Sequence, residues 1–149
     1  MGGVVRLPGI VSDLDGVLIK GESPPPIPGA SAVLKRVLAK HGKTGKHVPF
    51  TFLTNGGFRT EQSKASKLNA VLFGDKDAGL VTVDHVIQSH TVFKDEKLLS
   101  QYQNKFVLVD CGAPNAYEIA ANYGYKKLIT LKELSVLYPE VNYNTALDL

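Results

Sequence analysis

The stretch "GIVSDLDGVLIKGE", Gly9 to Glu22, decides how the chain folds. A short apolar run ends at Ser12 and is followed at once by two aspartates, Asp13 and Asp15, and then by Gly16. An apolar run of this length beside turn signals is typical of a buried strand, and a glycine lets the backbone turn with no side chain in its path. The stretch therefore predicts a strand that carries a pair of carboxylates at its carboxyl end.

Short β-rich runs alternate with helical patterns along the rest of the chain. The predicted strands are residues 48–54, 86–89, 105–109 and 127–130. The predicted helices are residues 30–41, a helix capped by Thr60 and ended by Gly74, a short helix at 98–102, a helix ended by Gly124, and one that begins with the Thr130–Glu133 capping box. Such alternation indicates βα units around a parallel sheet, which is the α/β class.

Composition excludes several classes of protein. The chain has 149 residues, of which 44% are hydrophobic and 21% charged, as in an ordinary globular domain. The net charge of +3 comes from 17 basic and 14 acidic residues that are scattered along the chain, so no basic block predicts a nucleic-acid partner. One cysteine, Cys111, fits a reducing compartment. No apolar run approaches the roughly 20 residues of a membrane span, and the first residues carry no targeting pattern, so a cytoplasmic location is expected.

The two aspartates have a chemical use at the end of a parallel strand, where open α/β sheets bind their ligands. One ionised carboxylate can attack phosphorus and form an aspartyl-phosphate, while Mg²⁺ offsets the repulsion between the two anions. The second can protonate the leaving oxygen and later take a proton from water. The alternative is a polar turn without chemistry. A calcium loop is excluded because Val17 stands at the next ligand position.

The second candidate element is "FLTNGG", Phe52 to Gly57. A hydroxyl at Thr54 followed by the small residues Asn55 and Gly56 provides backbone N–H groups that can hold a phosphate. Alone, this pattern is more often an ordinary turn between a strand and a helix. Because one βα unit separates it from the aspartates, adjacent parallel strands would bring both elements to one pocket.

Together, "DLDGVL" and "LTNGG" resemble the first and second motifs of the haloacid dehalogenase superfamily, whose members are mostly Mg²⁺-dependent phosphatases with a Rossmann-like parallel sheet. The stretches "DLDGVLIKGESPPPIPGA", "PFTFLTNGG", "VIQSHTVF", "YGYKKLITLKEL" and "YPEV" are similar to its class IIA branch named after the cat eye syndrome critical region protein 5. The resemblance covers the chain from Ile10 to Val141.

The resemblance implies a role for each candidate residue. Asp13 would be the nucleophile and a Mg²⁺ ligand, and Asp15 the acid/base and a ligand through its backbone carbonyl. Thr54, Asn55 and Gly56 would hold the phosphate of a small phosphorylated metabolite. The branch also implies a mitochondrial location, as an alternative to the cytoplasm, and a link to glycerophospholipid metabolism.

Spacing bears on the domain organisation. Asp13 and Thr54 are 41 positions apart, which leaves room for one turn and one helix and excludes an inserted cap domain between them. The resemblance therefore implies a cap after the second motif, so residues 1–103 would be the first part of the hydrolase core and residues 104–149 the beginning of an α/β cap. Periodicity alone would instead continue the first sheet through "KFVLV", residues 105–109.

Two further motifs are expected of the superfamily, a lysine and a strand that ends in acidic residues, and no convincing form of either precedes Leu149. Asp110 is the one candidate stand-in for the acidic motif, although a turn residue is the more typical interpretation. The resemblance therefore implies a phosphatase-type hydrolase whose turnover is weak or absent in this chain, or alternatively a catalytically incomplete fragment that serves as a binding or regulatory module. An incomplete sheet also predicts self-association through an exposed edge.

Overall fold

The structure, a computed structural model, describes residues 8–20, 25–39, 48–55, 59–74, 79–109 and 115–141. The chain divides into two compact units, residues 1–90 and residues 91–149. The division expected from the sequence, 1–103 and 104–149, concerned the core and the cap of the resembled superfamily and stays a prediction.

Strands and helices alternate along the described ranges. The strands are β1 (Ile10–Ser12), β2 (Phe50–Thr54), β3 (Val86–Gln88), β4 (Phe106–Val109) and β5 (Lys127–Thr130). The helices are α1 (Ala30–Leu38), α2 (Glu61–Phe73), α3 (Glu96–Tyr102), α4 (Ala116–Tyr123) and α5 (Leu131–Leu137), with short 3₁₀ turns at Val83–His85, Thr91–Lys94 and Pro139–Val141. This alternation confirms the α/β class. Within the described ranges, no helix is long and apolar enough to cross a membrane.

In the first unit, three parallel strands form one sheet in the order β1-β2-β3. The central strand β2 alternates buried Phe50, Phe52 and Thr54 with the more exposed Thr51 and Leu53. Since side chains of a strand point alternately to opposite faces, the buried set shares one face of the sheet. The predicted strand at 48–54 is therefore confirmed, with its regular part beginning at Phe50.

The core of the first unit lies between that face and the apolar sides of α1 and α2. Both helices contribute aliphatic residues spaced three or four positions apart, which places them on one face of each helix. The buried cluster consists of Leu14, Ile19, Leu34, Leu38, Phe50, Phe52, Ala65, Leu68, Leu72, Phe73, Val81 and Val86. It joins residues from all three strands or the turns beside them, so the packing of the helices fixes the sheet.

The opposite face of the same sheet carries exposed apolar side chains. Val11 of β1 is 67% exposed, Leu53 of β2 is 49% exposed and Ile87 of β3 is 42% exposed. Leu53 and Ile87 are register partners on adjacent strands, whereas Val11 is paired with Thr51, two positions before Leu53.

The ends of the first two helices follow from local sequence signals. The Thr60 side chain accepts a hydrogen bond from Ser63 N at 3.2 Å, and Gly74 ends α2 with a left-handed φ of 66°, as the sequence predicted. The helix α1 ends at Leu38, earlier than the predicted His41, because Ala39 is already extended. The remainder of that predicted end lies outside the described residues.

In the second unit, β4 and β5 form a separate two-stranded parallel sheet. All four residues of β4 pair with β5, from Phe106 with Lys127 to Val109 with Thr130. The expectation from periodicity that "KFVLV" continues the first sheet is therefore wrong. An apolar strand shows its own burial pattern but not the identity of its neighbour.

The second unit has a small core of its own. Ile119 and Tyr123 of α4 are buried together with Tyr125, against Leu99, Val107, Ala120 and Leu128. The Tyr125 hydroxyl donates a hydrogen bond to the Phe93 carbonyl at 3.0 Å, so this buried aromatic side chain has a partner for its polar end.

The predicted capping box at the start of α5 is present. Glu133 N donates to Thr130 Oγ1 at 3.2 Å, and in return Thr130 N donates to Glu133 Oε2 at 2.8 Å. Hydrogen bonds from the backbone and then from the side chain of Thr130 lower the pKa of the Glu133 carboxyl below its ordinary value of 4.5.

This capping box predicts a pH dependence for α5. A lowered folded-state pKa means that the ionised carboxylate stabilises the helix above the ordinary pKa, and this stabilisation is lost as the pH falls through the lowered pKa. A ¹³C NMR titration of the Glu133 carboxyl should give a lower pKa in the wild type than in Thr130→Val, which lacks the hydroxyl. Identical titrations in the two proteins would show that the Thr130 hydroxyl does not lower the pKa of Glu133.

A buried amide joins α2 to the segment before β3. Asn69 is 8% exposed, and its Nδ2 donates to Ala65 O at 3.0 Å and to Val81 O at 2.8 Å, while its Oδ1 accepts from Val81 N at 2.9 Å. Both backbone groups of Val81 are thus satisfied by one side chain, which holds the amino end of the segment leading into β3.

Replacement of this amide by a leucine of similar shape should destabilise the first unit. Asn69→Leu leaves the buried N–H and C=O of Val81 without that partner, and we expect a loss of about 2–4 kcal/mol in the free energy of unfolding. Urea denaturation measures it. The exposed Gln62 on the same helix is the control, since Gln62→Ala should change stability by no more than about 0.5 kcal/mol. Equal urea midpoints for Asn69→Leu and the wild type would show that the Asn69 amide does not stabilise the first unit.

Candidate active site

The carboxyl ends of the three strands of the first sheet lie at one edge. Ser12, the last residue of β1, pairs with Phe52, and Thr54, the last residue of β2, pairs with Gln88, the last residue of β3. In register, the three strands therefore end within two residues of one another. Asp13 follows β1 directly. The structure thus brings the aspartate loop and the end of β2 to the same edge of adjacent strands, which is where α/β sheets bind ligands.

The loop after β1 is anchored by the residue between the two aspartates. Leu14 is completely buried, whereas Asp13 and Asp15 on either side of it are exposed. One carboxylate oxygen of Asp13, Oδ1, accepts a hydrogen bond from Leu14 N at 2.7 Å. Burial of the leucine therefore turns both carboxylates toward solvent and orients one of them.

A tight turn carries the chain away from the aspartates. Leu18 N and Ile19 N donate to Leu14 O at 2.9 and 3.0 Å, and Gly16 N donates to Ile19 O at 2.7 Å. Gly16 has a φ of 81°, a left-handed conformation that glycine adopts without strain. The glycine is thus needed for the turn itself, and its side-chain position is open space.

The proline-bearing connector returns beside this turn. Ile27 N donates to Leu18 O at 2.9 Å, and Ile19 forms an isolated bridge with Pro26. The residues that follow the aspartates, Leu18 and Ile19, are therefore held by backbone pairing with this connector.

The end of β2 contains the candidate phosphate-binding residues. Thr54 is buried, with 2% of its surface exposed, and Asn55 after it is exposed. The third predicted member, Gly56, lies outside the described residues, as does Asp110, the candidate stand-in for the later acidic motif. The Thr54 side chain is accordingly part of the sheet edge, and the exposed turn begins with Asn55.

Sequence reasoning missed Gln88, the last residue of β3. Gln88 is 1% exposed, and its Nε2 donates to the Arg59 carbonyl at 2.8 Å. The available signal was the alternation in "VIQ", which puts Gln88 on the same face of the strand as the buried Val86. A glutamine on a buried face usually has hydrogen-bond partners. Its hydrogen bond to the Arg59 carbonyl could not be predicted from the sequence of the strand alone.

The oxygen donors of the loop suit a hard cation. Mg²⁺ takes oxygen ligands and is usually held by one or two protein carboxylates together with substrate and water oxygens. The Asp13 carboxylate and the Asp15 backbone carbonyl are donors of this kind on one short loop. Among the described side chains, no group of three or more His, Cys, Asp or Glu residues could hold a metal ion together.

A separate cavity of about 460 Å³ lies beside α2. It is lined by Gln62, Ser66, Asn69, Ala70, Gly74, Gly79, Val81, Thr82 and Val83. Neither aspartate of the loop nor Thr54 lines it. The candidate site at the carboxyl edge of the sheet is therefore separate from this cavity.

The pattern of the haloacid dehalogenase-like hydrolases matches residues 10–126, which include the aspartate loop and the end of β2. The chain belongs to the haloacid dehalogenase-like hydrolase family. The match begins at the first residue of β1 and extends into the second unit.

Two curated proteins are similar to this chain in sequence. The chain is 32% identical over 117 residues to a mitochondrial hydrolase of Saccharomyces cerevisiae, a match of 78% of this chain and 28% of that protein. It is 35% identical over 130 residues to a cardiolipin synthase (CMP-forming) / mitochondrial hydrolase fusion protein of Schizosaccharomyces pombe, a match of 83% of this chain and 18% of that protein.

The crystal structure of a hypothetical protein from Pyrococcus horikoshii superposes with a TM-score of 0.57 at 25% identity, covering 86% of this chain and 42% of that one. The chain therefore spans less than half the length of each of these three proteins. The superposition shows that the two proteins share an α/β fold over the matched part.

The anchor of the aspartate loop predicts a large effect of Leu14→Ala. Removal of a fully buried leucine side chain should lower the free energy of unfolding by about 2–5 kcal/mol, because it leaves a cavity under the loop. Urea denaturation measures the loss. The exposed neighbour supplies a matched control, since Val17→Ala should stay within about 0.5 kcal/mol of the wild type. A Leu14→Ala protein as stable as Val17→Ala would show that the leucine does not hold the loop.

Proposed function

We propose that this haloacid dehalogenase-like hydrolase is a Mg²⁺-dependent phosphatase that acts on a small phosphorylated metabolite, with Asp13 as nucleophile. One observation carries the proposal. The exposed carboxylates of Asp13 and Asp15 lie at the same edge of adjacent parallel strands as Thr54 and Asn55. This adjacency supports the proposal, because a carboxylate that attacks phosphorus and the groups that bind the phosphate would have to lie side by side.

The proposed reaction has two steps. The Asp13 carboxylate attacks phosphorus, the bond from phosphorus to the leaving oxygen breaks, and Asp15 donates a proton to that oxygen. Asp15 then takes a proton from a water molecule that attacks the aspartyl-phosphate, which releases inorganic phosphate and regenerates Asp13. The hydrogen bond from Leu14 N to Asp13 Oδ1 supports this role, because it orients the carboxylate for attack through its other oxygen.

The remaining residues would bind the metal and the phosphate. The Asp13 carboxylate and the Asp15 carbonyl would hold Mg²⁺, which supplies positive charge against the repulsion between the carboxylate and the phosphate. The Thr54 hydroxyl and the backbone N–H groups of Asn55 and Gly56 would hold the phosphate oxygens. Binding and orientation of the phosphate thus fall to the end of β2, and proton transfer falls to Asp15.

The relatives support a location and a substrate class. Two of them are named as mitochondrial hydrolases, and one of these is fused to a cardiolipin synthase. We therefore assign the protein to the mitochondrion rather than to the cytoplasm, and its substrate to the phosphate monoesters of glycerophospholipid metabolism.

The proposal is tested with Asp13→Asn and a matched control, Asp84→Asn, which removes an exposed carboxylate from the 3₁₀ turn at Val83–His85. Fluoroberyllate with Mg²⁺ mimics a phosphoryl group on a carboxylate, and ¹⁹F NMR detects it when bound. We expect a bound signal for the wild type and Asp84→Asn and none for Asp13→Asn. This readout does not depend on the rate of turnover.

Hydrolysis of an aryl phosphate by the same three proteins measures the chemistry. We expect slow hydrolysis by the wild type that stops when EDTA removes Mg²⁺, and a loss of at least about a thousand-fold in Asp13→Asn. Equal rates for Asp13→Asn and the wild type would remove Asp13 from the mechanism. Phosphate binding by a wild type without any hydrolysis would favour the alternative predicted from the sequence, a catalytically incomplete binding or regulatory module.

A further inference from the structure

We propose that Ser12 is a positioning residue for the proposed nucleophile: its hydroxyl holds the peptide group between Asp13 and Leu14, and that peptide group orients the Asp13 carboxylate. The inference rests on the proposed function, since it concerns the carboxylate that would attack phosphorus. Ser12 does not touch the reacting atoms in this mechanism. It acts through the backbone beside the carboxylate.

The peptide group between Asp13 and Leu14 is hydrogen-bonded at both ends. At its carbonyl end, Asp13 O accepts from Ser12 Oγ at 2.9 Å. At its other end, Leu14 N donates to Asp13 Oδ1 at 2.7 Å. Because a peptide group is planar and stiff, its C=O and N–H turn together. A hydroxyl that holds the carbonyl therefore also fixes the direction in which the N–H points.

The hydroxyl of Ser12 belongs to a residue whose backbone is held in place. Ser12 is the last residue of β1 and the register partner of Phe52, which is completely buried. The peptide group after Asp13 lies beyond the paired residues of β1. The hydrogen bond from Ser12 thus connects this peptide group to the ordered end of the strand.

Burial of Leu14 does not by itself set the orientation of the peptide group. The completely buried side chain fixes the position of the Leu14 Cα atom. The peptide group still has one soft motion, a rotation about the line that joins the Cα atoms of Asp13 and Leu14. Such a rotation would carry the N–H away from Asp13 Oδ1. The Ser12 hydroxyl opposes it, because the carbonyl oxygen would have to leave the hydrogen bond at the same time.

Orientation of the carboxylate affects its attack on phosphorus. Leu14 N engages Oδ1, which leaves the other oxygen of Asp13 to attack in the proposed mechanism. A nucleophile reacts fast only when it is already aligned with its target, and a misplacement of about 1 Å can cost about 100-fold in rate. Loss of the Ser12 hydroxyl removes one restraint of several, and one hydrogen bond corresponds to about a 2- to 10-fold change in an equilibrium constant. We therefore expect a change of that size in the proposed reaction.

Three variants separate the hydroxyl from the rest of the side chain. Ser12→Ala removes the donor, Ser12→Thr keeps it, and Ser100→Ala is the matched control. Ser100 Oγ also donates to a backbone carbonyl at 2.9 Å, that of Lys97, but it lies in α3 of the second unit. The loss of a serine-to-carbonyl hydrogen bond in general is thus measured apart from the loss of the one beside Asp13.

The amide proton of Leu14 gives a readout that needs no catalysis. A short hydrogen bond to an ionised carboxylate is strong, and it moves the amide proton resonance downfield. In ¹H–¹⁵N NMR spectra near pH 7, we expect the Leu14 proton to shift upfield in Ser12→Ala. It should keep its wild-type position in Ser12→Thr, in which the hydroxyl is restored, and in Ser100→Ala.

Hydrolysis of an aryl phosphate with Mg²⁺ measures the consequence for the site. We expect kcat and kcat/KM to fall together, by about 2- to 10-fold, in Ser12→Ala, as for a contact that acts in the transition state. The affinity for fluoroberyllate, measured by ¹⁹F NMR, should fall by a similar factor. Ser12→Thr should recover most of both losses, and Ser100→Ala should match the wild type.

The two proposals fail in different ways. An unchanged Leu14 resonance in Ser12→Ala overturns the positioning role and leaves the proposed function intact. Equal losses of kcat in Ser12→Ala and Ser12→Thr, or in Ser12→Ala and Ser100→Ala, do the same, because the hydroxyl beside Asp13 would then not be the cause. A folded wild type that neither binds fluoroberyllate nor hydrolyses the aryl phosphate overturns the proposed function and the inference together.

Discussion

The parallel pairing of β1 with β2 is the constraint on which the candidate site depends. Ser12 opposite Phe52 sets Asp13 at the same edge as the end of β2. A shift of one residue in this register would turn Thr54 to the other face of the sheet, because side chains alternate along a strand. The buried phenylalanines Phe50 and Phe52 oppose such a shift, since it would expose both of them to water. The chemistry at the edge is therefore secured by packing inside the sheet.

Much of the fold follows from local signals in the sequence. The helix α2 begins at the Thr60 cap and ends at Gly74, as predicted, because both signals act within one helical turn. The pairing of β4 was not predictable in this way. The run "KFVLV" specifies a strand, but its neighbour depends on the residues of β5, which lie some twenty positions further along the chain. Short-range patterns carry little information about such a choice of partner.

The candidate site was likewise predictable from the sequence only in part. The two aspartates and the polar turn after β2 were visible in the sequence because each is a contiguous motif. Gln88 was not, since its hydrogen bond to the Arg59 carbonyl joins residues that are 29 positions apart. The exposure of the two carboxylates was likewise decided by the burial of Leu14 between them, which depends on the packing of the finished core.

The two units have separate sheets and separate buried clusters. The two clusters have no residue in common, so a large-to-small substitution around Ile119 removes apolar contacts from the core of the second unit and not from the core that contains Leu14 and Phe52. The packing that opposes a shift in the register of β1 and β2 is therefore supplied by the first unit itself.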